Sequence, residues 1–137
     1  MRKKTIRNAG IIGLLILALA VIVVYRMYTR PHRSAADEAG LQVKASQLAA
    51  DYGADEAAAN KKYLGRVLQV TGTVSDVSVN QQNHQVLVLE GTDMNGVQCT
   101  MEENIAGIKK GDALALKGFC NGFLTDVIID RCLPAKP

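Results

Sequence analysis

Histidines, paired carboxylates and cysteines are the side chains with which a small domain catalyses or binds metal, and in this chain they are few and poorly spaced for either task. From Ser34 onward there is one histidine, His84, set beside Asn80, Gln81, Gln82 and Asn83. That composition predicts a solvated turn rather than a general base. Asp126 and Asp130 are four apart, so a regular strand puts them on one face. For Asp126 the simplest expected role is hydrogen bonding to turn amides; a place in a ligand site is the sharper one. Cys99, Cys120 and Cys132 show neither a C-x-x-C pair nor Cys/His ligand spacing, which argues against zinc. A disulfide among these three is open in an oxidising compartment, and three small buried hydrophobes is the other reading. No Gly-rich phosphate loop, nucleophile elbow or zinc-helix motif occurs. The expectation is a protein that is not an enzyme and needs no cofactor or metal.

Charge separates the chain into two parts. Arg2, Lys3, Lys4, Arg7, Arg26, Arg30 and Arg33 precede Ser34 with no acid among them, whereas the remainder carries 9 Lys+Arg against 13 Asp+Glu. The formal +3 of the whole is therefore a +7 arm and a −4 domain, and the domain has the wrong sign for a polyanion partner. Between Arg7 and Arg26 lie 18 uncharged residues, Asn8 to Tyr25. At about 1.5 Å per residue they cover roughly 27 Å, a bilayer's hydrocarbon thickness. Tyr25, Tyr28 and the flanking arginines suit the interface, and the basic collar suits lipid phosphates. A cleaved signal peptide is the rival reading, but cleavage after Ala18 or Ala20 would expose VIVVY as a new terminus. A lipid-anchored terminus would need a cysteine directly after the apolar run, and the first cysteine is Cys99. The expected topology is a single-pass anchor, its amino terminus cytoplasmic and its domain outside, in a periplasm or beyond.

Positioning elements follow from periodicity. Arg30 to Gly40 is small and polar and reads as a tether; Ser46 can cap a helix carrying Leu48, Ala49 and Tyr52, interrupted at Gly53. Asp55 can cap a second helical segment to Leu64, with Lys61 and Lys62 in the last turn and Gly65 as its stop. Alternation then begins: Leu68, Val70, Gly72 and Val74 share one face, but Val77 and Val79 have the opposite parity. A strand over Arg66 to Val79 must therefore contain a bulge near Ser75 or Asp76. Further strands are predicted over Gln85 to Leu89, Gly96 to Met101, Asp112 to Cys120 and Leu124 to Leu133. Asn121-Gly122 is the last turn, and Glu102 to Lys110 is a short helix facing Ile105 and Ile108 inward. Five strands in this order, with a long curled first one and a helix between the third and fourth, predict a mainly β, Greek-key OB-fold barrel behind preceding helices and an amino-terminal transmembrane helix. The expected organisation is a basic cytoplasmic tail over 1–7, the transmembrane helix over 8–28, a juxtamembrane linker over 29–44, a helical lead-in over 45–64, the barrel over 65–133 and a short tail over 134–137.

The strings DEAAANKKYLGRVLQVTGTVSDV from Asp55, GVQCT from Gly96, KKGD from Lys109 and LKGFCNGFLTDVIIDRCL from Leu116 resemble the bacterial tRNA-anticodon-like OB-fold family, over roughly Leu41 to Leu133. The resemblance implies a fold and a placement, small OB domains behind a membrane anchor or lipoprotein signal, and transfers no binding role. OB domains that bind single strands need stacking rings and cations on the second and third strands. Here no aromatic lies between Leu64 and Gly118, and the only arginine there is Arg66, so nucleic acid is an unlikely partner. Tyr52, Tyr63, Phe119 and Phe123 flank the barrel in sequence. Phe119, Phe123, Asp126 and Tyr63 are the candidate partner-binding residues, with an envelope protein or a glycan as the expected partner. The leading function is a non-catalytic, membrane-anchored binding or scaffolding module, and the alternative is an OB domain for nucleic acid or an anionic oligomer. Oligomeric state is not legible from these residues.

Overall fold

The computed structural model describes residues 2–29 and 34–136 and falls into two units, Met1–Arg33 and Ser34–Pro137. The first unit is helix α1, Arg2–Tyr28, closed by Thr29, whose Oγ1 donates to the Tyr25 carbonyl at 2.7 Å. Its stretch Ile6–Tyr28 is long and apolar enough to cross a membrane, and its large apolar side chains are exposed on all sides. A helix without a polar face has no reason to lie on a soluble core. The linker residues 30–33, including Arg30 and Arg33, and the last tail residue Pro137 lie outside the described residues.

In the second unit, Ser34 to Gly40 does not behave as a free tether. The Asp37 amide donates to the Ser34 carbonyl, and Ala35 is fully buried against Val67 and Phe119. The expected linker over 29–44 also ends early, because Leu41–Lys44 forms strand β1, paired in parallel with residues 68–71 of the next strand. Helix α2, Ala45–Ala54, starts one residue before Ser46, which therefore does not cap it, and it runs through Gly53. Helix α3, Glu56–Tyr63, is capped as expected by Asp55, which accepts from the Ala58 amide at 3.1 Å, and ends at Gly65 with φ +74°.

The barrel comprises β2 (Val67–Val79), β3 (Gln85–Leu89), β4 (Val97–Met101), β5 (Ala113–Phe123) and β6 (Val127–Ala135). The order β2-β3-β4-β6-β5, closed by β2–β5 pairing, is that of an OB fold, with β1 added beside β2. The parity slip lies where the alternation requires it: the β2–β3 register shifts between Val74 and Asp76, and Ser75 Oγ donates to the Val88 carbonyl at 3.0 Å. This bulge lets the first half of β2 pair with β5 and the second half with β3. Leu68, Val70, Val74, Leu87, Leu89, Val97, Cys99, Met101, Leu116, Val127, Ile129 and Cys132 fill the interior, joined by Leu48, Tyr52 and Tyr63 from the helices.

The short helix expected over Glu102 to Lys110 does not form; the segment is a series of bends and turns with Gly107 at φ +83° and Gly111 at φ +94°. Gln85 explains why the inward isoleucines do not need it. Its buried side chain accepts from the Ile105 amide at 2.9 Å and donates to the Ile105 carbonyl at 3.1 Å, while Asn104 Oδ1 accepts from the Gln85 amide at 2.7 Å. Ile105 and Ile108 still pack on the core. Because both backbone groups of Ile105 depend on one amide, Gln85→Leu should cost about 1–3 kcal/mol. Hydrogen exchange at the Ile105 amide should accelerate with the fall in melting temperature, and an unchanged exchange rate would show that the loop is held elsewhere.

Candidate functional site

Three aromatic rings run in a column from the α2–α3 hairpin to one mouth of the barrel. Tyr63 lies 6.1 Å from Tyr52 between centroids, and Tyr52 stacks on Phe123 at 5.7 Å with 18° between planes. Tyr63 is buried, and its hydroxyl donates to Asp51 Oδ2 at 2.5 Å; Asp51 Oδ1 also accepts from Gln47 at 2.7 Å. The Tyr63 bond holds the Asp51 carboxyl below its ordinary pKa, and burial raises the Tyr63 phenol. Tyr52 has its hydroxyl 3.4 Å from Cys120 Sγ, and burial, reinforced by that contact, pushes its phenol far up. Neither tyrosine is set to ionise, so the column is structural at its inner end. Only Phe123, half-buried, brings it to the surface.

At that mouth a groove of about 690 Å³ runs between α2 and two turns, with Tyr52, Phe123, Glu56, Asp93, Met94 and Asn95 among its lining residues. The Thr92–Asn95 turn is tightly bonded: the Thr92 amide donates to the Asn95 carbonyl, Thr92 Oγ1 accepts from the amides of Met94 and Asn95, and Asn95 Nδ2 donates to the Ala49 carbonyl at 3.2 Å. This bonding holds Met94 out, 91% exposed, and Leu124 on the facing turn is 80% exposed. Asp126 lies beside the groove, its Oδ1 accepting from the Gly96 amide at 2.7 Å, which is the turn-amide role read from its position.

Of the four candidate residues, then, Phe123 and Asp126 reach the mouth. Tyr63 is behind it, and Phe119 is elsewhere, packed with Ala35 and Val67 under the Arg131 guanidinium, which lies 4.3 Å from its ring centroid. Phe119 and Phe123 are separated because the β5–β6 register slips between Cys120 and Gly122, where Gly122 has φ +105°. Asn121 and Gly122 therefore belong to β5, and the turn falls after Phe123. Asp130 is likewise separate from Asp126 and accepts from Asn121 Nδ2 at 2.8 Å. Glu56, Asp93 and Met94 were not singled out as site residues by the sequence, since a residue opening α3 and two on a distant turn show no pattern until the helix and the turn meet.

The cysteines are all buried with free thiols. Register opposes Cys120 to Ile129, not to Cys132. Cys132 lies on β6 beside Met101 of β4, and a hydrogen bond with Cys99, followed by burial, raises its thiol pKa. His84 is exposed in the β2–β3 turn, and the described residues contain no group of three or more metal-ligating side chains.

The face with which OB domains take oligomers is formed here by two rungs across β2, β3 and β4, Asp76–Val88–Gln98 and Ser78–Val86–Thr100. Neither contains a ring or a cation. A "putative nucleic acid-binding lipoprotein" from Klebsiella pneumoniae shares the fold at TM-score 0.52 and 15% identity, over 69% of this chain and 92% of its own. No curated protein matches the chain. The tRNA_anti-like family model matches residues 1–133. That match spans the barrel whose strand order has just been traced, and the chain belongs to the tRNA_anti-like family.

Proposed function

We propose that this protein is a non-catalytic binding or scaffolding module, anchored by α1 in a bacterial inner membrane with its OB domain on the extracytoplasmic side, where it engages an envelope protein or a glycan. The observation that carries the choice of partner is the composition of the two rungs on the oligomer-binding face. Stacking contributes about 1–3 kcal/mol per base in single-strand binders, and Asp76, Ser78, Val86, Val88, Gln98 and Thr100 offer no ring to stack on. The −4 charge of the domain removes the phosphate term as well. Membrane association is supported by the length and uniform apolarity of Ile6–Tyr28 and fits the lipoprotein character of the structural neighbour. The side of the membrane rests on the four positive residues ahead of the span.

Val79→Cys tests this directly, because position 79 is 59% exposed whereas the native thiols are buried. In cells with a permeabilised outer layer, a membrane-impermeant maleimide should label the variant, and the labelled species should keep the full-length mass. Labelling only after lysis would overturn the extracytoplasmic placement, and a shortened mass would overturn the anchor. Salt-sensitive binding of the purified full chain to single-stranded oligonucleotides would replace the partner class.

A further inference from the structure

We infer that the groove between α2 and the Thr92–Asn95 and Phe123–Thr125 turns is a docking site for an extended, cationic protein segment in which basic and apolar side chains alternate. This rests on the binding-module reading above and specifies its site and the chemistry of its partner. Three observations carry it. First, the groove presents anchoring surface of two kinds: the half-buried ring of Phe123 stacked on Tyr52, and the exposed side chain of Met94 on the Thr92–Asn95 turn. An exposed apolar side chain on a well-bonded turn does not stabilise the turn, and a fixed methionine rim is what a partner's apolar residues can cover. Second, Glu56 and Asp93 line the same groove, both exposed, and neither has an ion-pair partner among the described residues. Asp126 lies alongside, occupied by the Gly96 amide. Among the described residues no lysine or arginine lines the groove, which leaves its carboxylates open to a cationic partner. Third, Phe123 in the same lining is only half-buried, and an aromatic ring attracts a guanidinium or ammonium group.

Size and sign select the occupant. A groove of about 690 Å³ bounded by two separate turns has room for several side chains of an extended segment. Its carboxylates repel phosphate, which disfavours both nucleic acid and anionic lipid headgroups. The turn is held before any partner arrives by the Thr92 and Asn95 hydrogen bonds, so little ordering is left for binding to impose.

The test uses the full chain in zwitterionic micelles, titrated with a short peptide of alternating arginine and leucine while amide resonances are followed. Saturable shifts should appear at Ala50, Gly53, Met94, Asn95 and Thr125. Asp93→Lys combined with Glu56→Lys should weaken binding about tenfold or more by charge reversal, with the dispersed native spectrum retained. Phe123→Ala should weaken it independently, and a glutamate–leucine peptide should leave these amides unmoved. Shifts elsewhere, no shifts, or shifts indifferent to the charge reversals would overturn the inference. Shifts produced by a thymidine oligonucleotide at Val86, Gln98 and Thr100 would overturn the partner class of the proposed function too, whereas failure of the maleimide test would change the compartment and leave the groove's chemistry standing.

Discussion

Gly91→Ala is expected to cost about 1–3 kcal/mol, or more if the turn cannot shift. For a domain of about 100 residues that is a fall in melting temperature of about 4–8 °C per kcal/mol. A Cβ at Gly91 would overlap the Asn95 carbonyl oxygen and stand 2.7 Å from Ala49 Cβ and 2.9 Å from Gly96 Cα. Two of the three obstacles are backbone, and the third is a buried alanine of α2 with no rotamer to escape into. Relief requires the Thr92–Asn95 turn to move away from α2, which breaks the Asn95 Nδ2 bond to the Ala49 carbonyl and opens the groove. The effect is therefore local as well as global. Thermal melts of the full chain should show the loss, and amide shifts should concentrate at Ala49, Met94 and Asn95. An unchanged melting temperature would mean that α2 and this turn are not in close register.

Tyr52→Ala should be more damaging, about 3–5 kcal/mol, the range for large buried aromatic truncations. Tyr52 is 2% exposed and is the middle ring of the column, so its removal leaves Tyr63 and Phe123 without their shared neighbour and loosens α2, which keeps Ala45, Leu48 and Ala49 in the core. Tyr52→Phe isolates the hydroxyl, whose partner among the described residues is the weakly bonding Cys120 sulfur, and should cost under about 1 kcal/mol. Thiol chemistry supplies a second readout. Cys120 is buried behind the Tyr52 hydroxyl, so its alkylation should accelerate strongly in the alanine variant and little in the phenylalanine variant. Equal acceleration in both would show that the hydroxyl, not the ring, shields the thiol.

These two residues show what kinds of information a sequence carries. Tyr52 is recognisable as an inward residue because it lies four from Leu48 on a helix, and both are buried. Gly91 is recognisable only as a turn residue, since the neighbours that make a side chain intolerable there, Ala49 and Asn95, include one from a distant helix. The same division holds for the two halves of the barrel. The parity change after Val74 is written into β2 itself, and the bulge lies there. The segment after Met101 has helical spacing at Ile105 and Ile108, but a glutamine on β3 satisfies its backbone, so periodicity pointed to a helix that the fold does not need. Strand β1 was hidden for a related reason: four residues following a small, polar stretch carry too little pattern, and their pairing to Leu68–Thr71 is decided by an available β2 edge.

By itself the sequence determined the apolar amino-terminal helix, the acidic character of the domain that follows it, the succession of five barrel strands along the chain and the absence of rings and cations from β3 and β4. Each is set by residue types at short range or by simple sums of charge, which do not change when the chain folds. Only the tertiary structure decided which of those residues meet. Phe119 and Phe123, equivalent by spacing, were sent to different surfaces by one slipped register, and Glu56, Asp93 and Met94 became a single groove because closing the barrel brings two turns against the α2–α3 hairpin. Strand pairing is a long-range choice, made by burial of the whole apolar set at once, and a one-residue slip in it reverses the face of every side chain beyond.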